Sequence, residues 1–316
     1  MAVSFDVLIN EAFTAGASDV HVQPVQGECT VFFRIQGQLS ARLQLTPAQA
    51  ERLTAQIRVA CGLDVSQRQL PQDGRFHLSD GLSGRVSIMP TLYGSAVVLR
   101  LFQLLKAESL EDLGFSGEQA GLLKTLVARP YGLILVAGPT GSGKTTTLYH
   151  LLAQARQPNR VLLSLEDPIE AEIPGVRQTA CRPELGLSFA SGLRSLLRQD
   201  PDVILLGEIR DGETAEIAVR AALTGHLVLS SVHARDASEA LLRLLDLQVP
   251  AFQLASTLTA TVAQEWRSDA ASVRRLSATV LCYPPNLYEL LKTQPSLGVL
   301  RSALQAHGVG NGAVAA

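Results

Sequence analysis

The sequence predicts an α/β protein in which a helix-covered parallel sheet carries a glycine-rich loop, preceded by a smaller α+β domain. Two observations make that prediction. Four short, continuously apolar runs, Leu133–Ala137, Val161–Leu165, Val203–Leu206 and Leu227–Ser231, alternate with helical segments, as strands buried on both faces do. Leading straight out of the first run, Gly138-Pro139-Thr140-Gly141-Ser142-Gly143-Lys144-Thr145 fits G-x-x-x-x-G-K-[ST], and Thr146-Thr-Leu-Tyr-His-Leu-Leu152 behind it reads as a helix. Strand, glycine loop and helix are the context this motif requires.

The elements follow in chain order. Phe5, Leu8, Ile9 and Ala12 recur at helical spacing behind Ser4, a suitable N-cap. Ser18–Val22 and Thr30–Ile35 read as strands, with Gln36-Gly37 as a turn signal. Thr46, Pro47 and Gln49 open a second helix with a capping box, and Leu53, Ile57 and Ala60 give it an apolar stripe. Two further strands carry Val86 and Ile88, then Val97, Leu99 and Leu101, on one face. A linker near Lys106 to Gly117 leads into the helix-and-strand alternation, giving domains at 1–104 and 118–316 with a linker at 105–117. Beyond Leu241 the chain reads as helical or irregular, and Gly308 to Ala316 as a frayed end with nothing to bury.

Composition bounds the partners. A length of 316 residues fits about two domains. The net charge of −2 gives no electrostatic pull towards nucleic acid or anionic lipid, and aromatics at 5% show no interleaving with basic residues of the kind that stacks bases. No apolar run approaches a membrane span and the N-terminus lacks a signal-peptide pattern, so a cytoplasmic protein is expected. Cys29, Cys61, Cys181 and Cys282 form no C-x-x-C pair; four reduced, half-buried thiols are expected, with no zinc site.

The loop's chemistry follows from its geometry. Gly138, Gly141 and Gly143 let successive N–H groups turn inward on a phosphate chain, and the helix starting near Lys144 adds unpaired donors and a positive dipole end. Lys144 supplies charge for the β- and γ-phosphates, and Thr145 a hydroxyl for Mg²⁺. Residues Gly138 to Thr145, with Thr146, are therefore the nucleotide-binding set. Glu166 and Glu208 stand at strand ends, on the edge where ligands of parallel sheets sit, and either can hold Mg²⁺ or orient the attacking water. His226 and His233 bracket the last core strand; spacing alone favours two ordinary polar residues, whereas a histidine near a γ-phosphate can sense it. Arg194 and Arg198 share one helix face and read as a solvated or subunit-contacting face.

Longer stretches carry a resemblance. Ser164-Leu-Glu-Asp-Pro-Ile-Glu170 resembles the aspartate box of the secretion ATPases that power type II secretion and type IV pili. Leu193 to Asp211 resembles their Walker B signature, and Thr224 to Ala234 their histidine box. In the first domain Gly16–Pro24, Phe33–Gly37, Pro71–Phe76, Gly84–Ser87 and Val97–Arg100 resemble the same family. Pro71-Gln-Asp-Gly-Arg-Phe76 is more similar to assembly than to retraction ATPases.

The resemblance implies a RecA-like ATPase domain behind a PAS-like α+β domain, with ATP and Mg²⁺ as cofactors. It implies that Lys144 and Thr145 hold phosphate and metal, that Glu166 and Glu208 serve metal and water, and that His226 and His233 sit near the γ-phosphate. Arg75, Arg85 and Arg100 fall where the family places arginines that reach the nucleotide; without it they read as strand-exposed basic residues. A homo-oligomeric ring, a hexamer by family, is implied at the inner face of the plasma membrane, with a polytopic platform protein as partner and no direct nucleic-acid binding. The start directly at the α+β domain is similar to the competence-pilus ATPase of Gram-positive bacteria, the ComGA type, whose work is DNA uptake. Gln264-Glu265-Trp266 departs from the family's Gln-Arg-Leu. A retraction ATPase, a RecA-like DNA motor and a nucleotide-gated scaffold with little turnover are the alternatives.

Overall fold

The computed structural model describes residues 4–35, 37–78, 82–102, 109–268, 274–293, 296–304 and 308–310. The chain forms two compact units, Met1–Lys106 and Ala107–Ala316. Gln36 of the expected turn, residues 105–108 of the expected linker and the tail from 311 lie outside the described residues.

The first unit runs α1 (Phe5–Thr14), β1 (Ala17–Val25), β2 (Glu28–Ile35), β3 (Gln38–Leu45), α2 (Pro47–Ala60), β4 (Gln72–His77), β5 (Ser83–Thr91) and β6 (Gly94–Phe102). Ser4 caps α1, whose buried face is Phe5, Leu8, Ile9 and Ala12. Thr46 and Gln49 close a reciprocal capping box on α2, which buries Leu53, Thr54, Ile57 and Arg58. The strands pair in the order β3-β2-β1-β6-β5-β4, antiparallel throughout. One face of the sheet buries Val20, Val22, Val31, Phe33, Val86, Ile88, Val97 and Leu99 with the two helices. Sequence reading expected four strands here; β3 and β4, the two edges, are additional. β3 buries only Leu45, so it lacks the alternation that marks a half-buried strand.

The second unit begins with α3 (Gly117–Val127), β7 (Gly132–Ala137), α4 (Lys144–Gln154), β8 (Leu162–Glu166), β9 (Arg177–Ala180) and α5 (Phe189–Leu196). It continues with β10 (Val203–Leu206), α6 (Gly212–Leu223), β11 (Leu227–Val232), α7 (Ala237–Asp246) and α8 (Ala251–Thr257). β12 (Leu258–Ser268), β13 (Arg274–Cys282), α9 (Leu287–Lys292), α10 (Leu297–Leu304) and β14 (Gly308–Gly310) complete it. The sheet order is β14-β13-β12-β7-β11-β10-β8-β9. β12 through β9 are parallel neighbours, and β13 and β14 add an antiparallel edge. Every residue of β7, β8, β10 and β11 is buried, which is why those strands read as unbroken apolar runs.

Three expectations are corrected here. The chain beyond Leu241 is not only helical or irregular, since β12 extends the parallel sheet beside β7. Its buried side chains include Thr261 and Gln264, which hydrogen-bond rather than pack, so the apolar pattern is broken. Gly308–Gly310 is not free either: it pairs with Leu281, Val280 and Thr279 of β13. Cys29 and Cys181 are fully buried rather than half-buried. Burial pushes the Cys61 and Cys181 thiols up to about 11, as unreactive structural thiols require. No described helix is long and apolar enough to cross a membrane.

Candidate functional site

β7, β8, β10 and β11 all end at the same edge of the sheet, and the phosphate loop, Glu166, Glu208 and His233 lie at or just beyond those ends. In a parallel sheet this is where ligands bind. The loop from Gly138 to Gly143 turns through two left-handed glycines, Gly141 at φ 77° and Gly143 at φ 88°. A Cβ on Gly138 would lie 2.3 Å from the Gln264 carbonyl, so only glycine lets the loop pass there. Gly143 is the N-cap of α4 and has no side chain to cap it. The first-turn N–H groups of α4 therefore lack the usual protein acceptor and face the loop's concavity, as an anion site requires.

Lys144 Nζ donates to the carbonyls of Gly138 at 2.8 Å and Pro139 at 2.9 Å. Burial lowers the Lys144 pKa, and the nearby Glu208 carboxylate opposes that shift. Ser142 Oγ is buried with no hydrogen-bond partner among the described residues. Thr145 Oγ1 stands 3.4 Å from Glu170 Oε1. A triphosphate with Mg²⁺ fits this set: an uncapped helix end, an orphaned hydroxyl, a lysine, and a threonine hydroxyl beside a carboxylate.

The two strand-end acids differ in surroundings. Glu208, just beyond β10, accepts from Arg210 Nη2, and its Oε2 lies 3.7 Å from His233 Nε2, beyond the end of β11. Its side chain is 15% exposed while that of His233 is 57% exposed, so the pair opens to solvent beside Lys144. Arg210 is held charged above its ordinary value mainly by the bond to Glu208. Sequence reading gave Arg210 no role, although its place two residues after the strand-end acid was available as a signal.

Glu166 is 2% exposed at the end of β8. Tyr149 and Ser164 hydroxyls donate to its carboxylate, and Gln178 Nε2 donates at 3.1 Å. Tyr149 also accepts from the Glu170 N–H at 3.0 Å, and its own pKa is raised by burial and by Glu166. Glu166 therefore knits α4, β8 and β9 together and is turned away from bulk water. Glu170 is the acid within reach of Thr145.

His226 does not join this edge, which departs from the family-implied expectation that both histidines sit near the γ-phosphate. Leu227 pairs with Gly132 at the start of β7, whereas the phosphate loop leaves its far end. A strand of this length separates His226 from His233 by about 23 Å at roughly 3.3 Å per residue. His226 Nδ1 instead meets the Ala221 carbonyl at 2.9 Å, closing the last turn of α6. Arg194 pairs with Glu213 of α6, and Arg198 donates to the Arg194 carbonyl.

β12 supplies what the sequence did not announce. Gln264, 3% exposed, accepts from Thr147 Oγ1 at 2.8 Å and donates to the Ser142 carbonyl at 2.7 Å. It pins the loop to the first turn of α4.

In the first unit the expected arginines share one row. Arg75 pairs with Arg85, Arg85 with Arg100, Arg100 with Asp19, and Asp19 with Arg34. Paired residues share a face, and Arg75, Arg85 and Arg100 are exposed on it. Arg100 Nε donates to Asp19 Oδ1 at 2.9 Å, with Arg34 Nε 3.9 Å from the other oxygen. His21, on the same face as Asp19, has its pKa lowered by burial first and then by Arg34.

Comparison with known proteins gives a consistent picture. The family described as type II/IV secretion system protein matches residues 2–279. The putative type II secretion system protein E of Escherichia coli (strain K12) is 44% identical over 263 residues, which cover 82% of this chain and 53% of that protein. The type IV pilus assembly ATPase PilB of Thermus thermophilus is 41% identical over 263 residues, covering 81% of this chain and 29% of that protein. The chain thus spans about half the length, or less, of these curated relatives. The solved structure of the pilus retraction motor PilT with bound ADP is similar at a TM-score of 0.75 and 28% identity, covering 96% of this chain and 88% of that one. The Legionella pneumophila ATPase DotB, at TM-score 0.77 and 22% identity over 96% of this chain and 88% of that one, shares the fold. The second unit accordingly has the RecA-like phosphate-loop fold.

Proposed function

The chain belongs to the type II/IV secretion system protein family, and on that premise we propose that it is an ATP-hydrolysing motor subunit for pilus assembly or type II secretion. The observation that carries the reading is the convergence of Lys144, Glu208, Arg210 and His233 at one edge of the parallel sheet, beside an uncapped helix N-terminus.

Each residue then has a task. The N–H groups from Gly141 to Thr145 receive the phosphates, and Lys144 exchanges its bonds to the Gly138 and Pro139 carbonyls for phosphate oxygens. Thr145 and Glu170 are the groups that would hold Mg²⁺, which when bound offsets phosphate charge. Glu208 orients the attacking water and takes its proton, while Arg210 fixes the carboxylate and His233 faces its second oxygen. Glu166 positions α4 against β8 through Tyr149. Arg75, Arg85 and Arg100 supply charge for the transferred phosphoryl group, and Asp19 sets the Arg100 guanidinium.

Relatives named as secretion protein E and as an assembly ATPase, at 41–45% identity, favour assembly over retraction. In this reading the active form is a homo-oligomeric ring, a hexamer, at the inner face of the membrane, working on a platform protein of a secretion system, a type IV-like pilus or a competence pseudopilus. The test is Mg²⁺-dependent phosphate release by the purified chain, followed by mass photometry with and without ATP. Turnover that rises with ring population supports the motor; nucleotide binding without turnover in every assembly state would leave a scaffold instead.

A further inference from the structure

The first unit holds a cavity of about 350 Å³ between the β1–β2 turn, α2 and the β5–β6 turn, a size that admits a small organic ligand. Arg58, Arg68, Thr54, Ser95, Tyr93 and Pro24 are among its lining residues. Arg58 is 4% exposed, although it stands on the packed side of α2 beside Ile57. Its Nη2 donates to Ser95 Oγ at 3.2 Å, and its Nε has no partner among the described residues.

A guanidinium stays charged in a protein, and burying it without a counter-ion is expensive. Among the described residues no acid, Glu28 on the cavity lining included, supplies one. Glu51 is taken by Arg68, and Asp64 accepts from Ser66 and Gln67 in its own turn. Burial and the charge of Arg68 both lower the Arg58 pKa, against a weaker pull from Asp64. Two guanidinium groups and the hydroxyls of Thr54, Thr91, Tyr93 and Ser95 thus line a cavity whose other walls include Pro24, Pro47 and Pro90, with the carboxylates of Glu28 and Glu51 also on its lining. An arginine fork is the group best matched to an oxyanion, and the prolines and Tyr93 suit an apolar or ring-shaped body.

We propose that this cavity is an oxyanion-binding site, separate from the phosphate loop, that takes a small phosphorylated molecule with its anionic head on Arg58 and Ser95. Phosphate and carboxylate share the chemistry, so the test has an arm for each. In the full chain carrying Lys144→Ala, which silences the phosphate loop, arginine Nε–H resonances are followed by NMR at constant ionic strength. Inorganic phosphate, then acetate, is titrated in exchange for chloride, and melting temperature is read in parallel. The Arg58 Nε resonance is expected to move saturably in the millimolar range with phosphate, and the melting temperature to rise. Acetate moving it more strongly than phosphate would assign a carboxylate and overturn the phosphorylated ligand. Arg58→Met, which removes the unpaired charge, is expected to melt no lower than its parent in chloride and to lose the phosphate response. Arg58→Lys keeps the charge without the fork and is expected to respond weakly, so the reading survives if the methionine variant does not fold. An Arg58 resonance indifferent to both anions, or a response that persists without Arg58, overturns the site.

Discussion

Replacing Glu208 and Glu166 by glutamine, one at a time, separates chemistry from architecture. Glu208 touches Arg210, whose side chain is 59% exposed, and His233 at 57%. Losing such a solvent-screened pair costs at most about 1 kcal/mol of stability. If Glu208 handles the attacking water, Glu208→Gln lowers kcat by about 10²–10⁴-fold, or roughly 3–5 kcal/mol of barrier, with ATP affinity held within a few-fold. Glu166 is the opposite case, with three donors on a carboxylate that is 2% exposed. A glutamine there keeps one acceptor oxygen and turns an NH₂ towards a donor-rich neighbourhood. Losing one buried charge-assisted bond costs about 2–3 kcal/mol, which in a unit of this size lowers Tm by roughly 5–10 °C. Single-turnover phosphate release, ATP binding by calorimetry and thermal melting on both variants give the result. A Glu208→Gln protein that hydrolyses ATP normally, or a Glu166→Gln protein that melts normally but cannot hydrolyse, refutes the assignment of the two acids.

Three further outcomes follow. Gln264→Leu removes both bonds that pin the loop and strands the Thr147 hydroxyl, 1% exposed; stability falls by about 2–3 kcal/mol and ATP affinity by about tenfold, and unchanged melting and Kd would exclude the clamp. Arg85→Ala or Arg100→Ala leaves ATP affinity within a few-fold but cuts turnover strongly, measured by calorimetry against steady-state phosphate release; equal turnover would reduce the row to a surface feature. His21 has a folded pKa below its unfolded value, so the folded state binds fewer protons and stability declines as pH falls below about 6.5. The wild-type Tm should therefore drop more than that of His21→Asn between neutral and mildly acidic pH, and parallel curves would contradict the shift.

The central strands were legible because burial on both faces leaves an unbroken apolar run, as in Leu133 to Ala137, all six residues of β7 being buried. The phosphate loop was legible because its glycines and lysine are required by backbone geometry as well as by ligand. What escaped was carried by polar groups. β12 hides behind Thr261 and Gln264, whose value lies in hydrogen bonds at 2.9 and 2.8 Å to partners far along the chain. β3 is an edge strand with a single buried residue. The two glutamates carry equivalent signals in sequence, and only the placement of Tyr149 and Arg210 distinguishes them. The histidines were paired by a motif, while strand direction set them at opposite edges. Arg58 gave no sign at all, since a long basic side chain on a helix is ordinarily solvated.

The most direct test of the nucleotide reading is steady-state phosphate release from ATP and Mg²⁺ by the full chain and its Lys144→Ala variant, with thermal melting of both. Among the described residues Lys144 donates hydrogen bonds only to the loop's own carbonyls, at 2.8 and 2.9 Å, so its loss should leave the fold intact. The account predicts turnover in the full chain, none above background in Lys144→Ala, and matching melting temperatures without nucleotide. Equal turnover in the two proteins would contradict it.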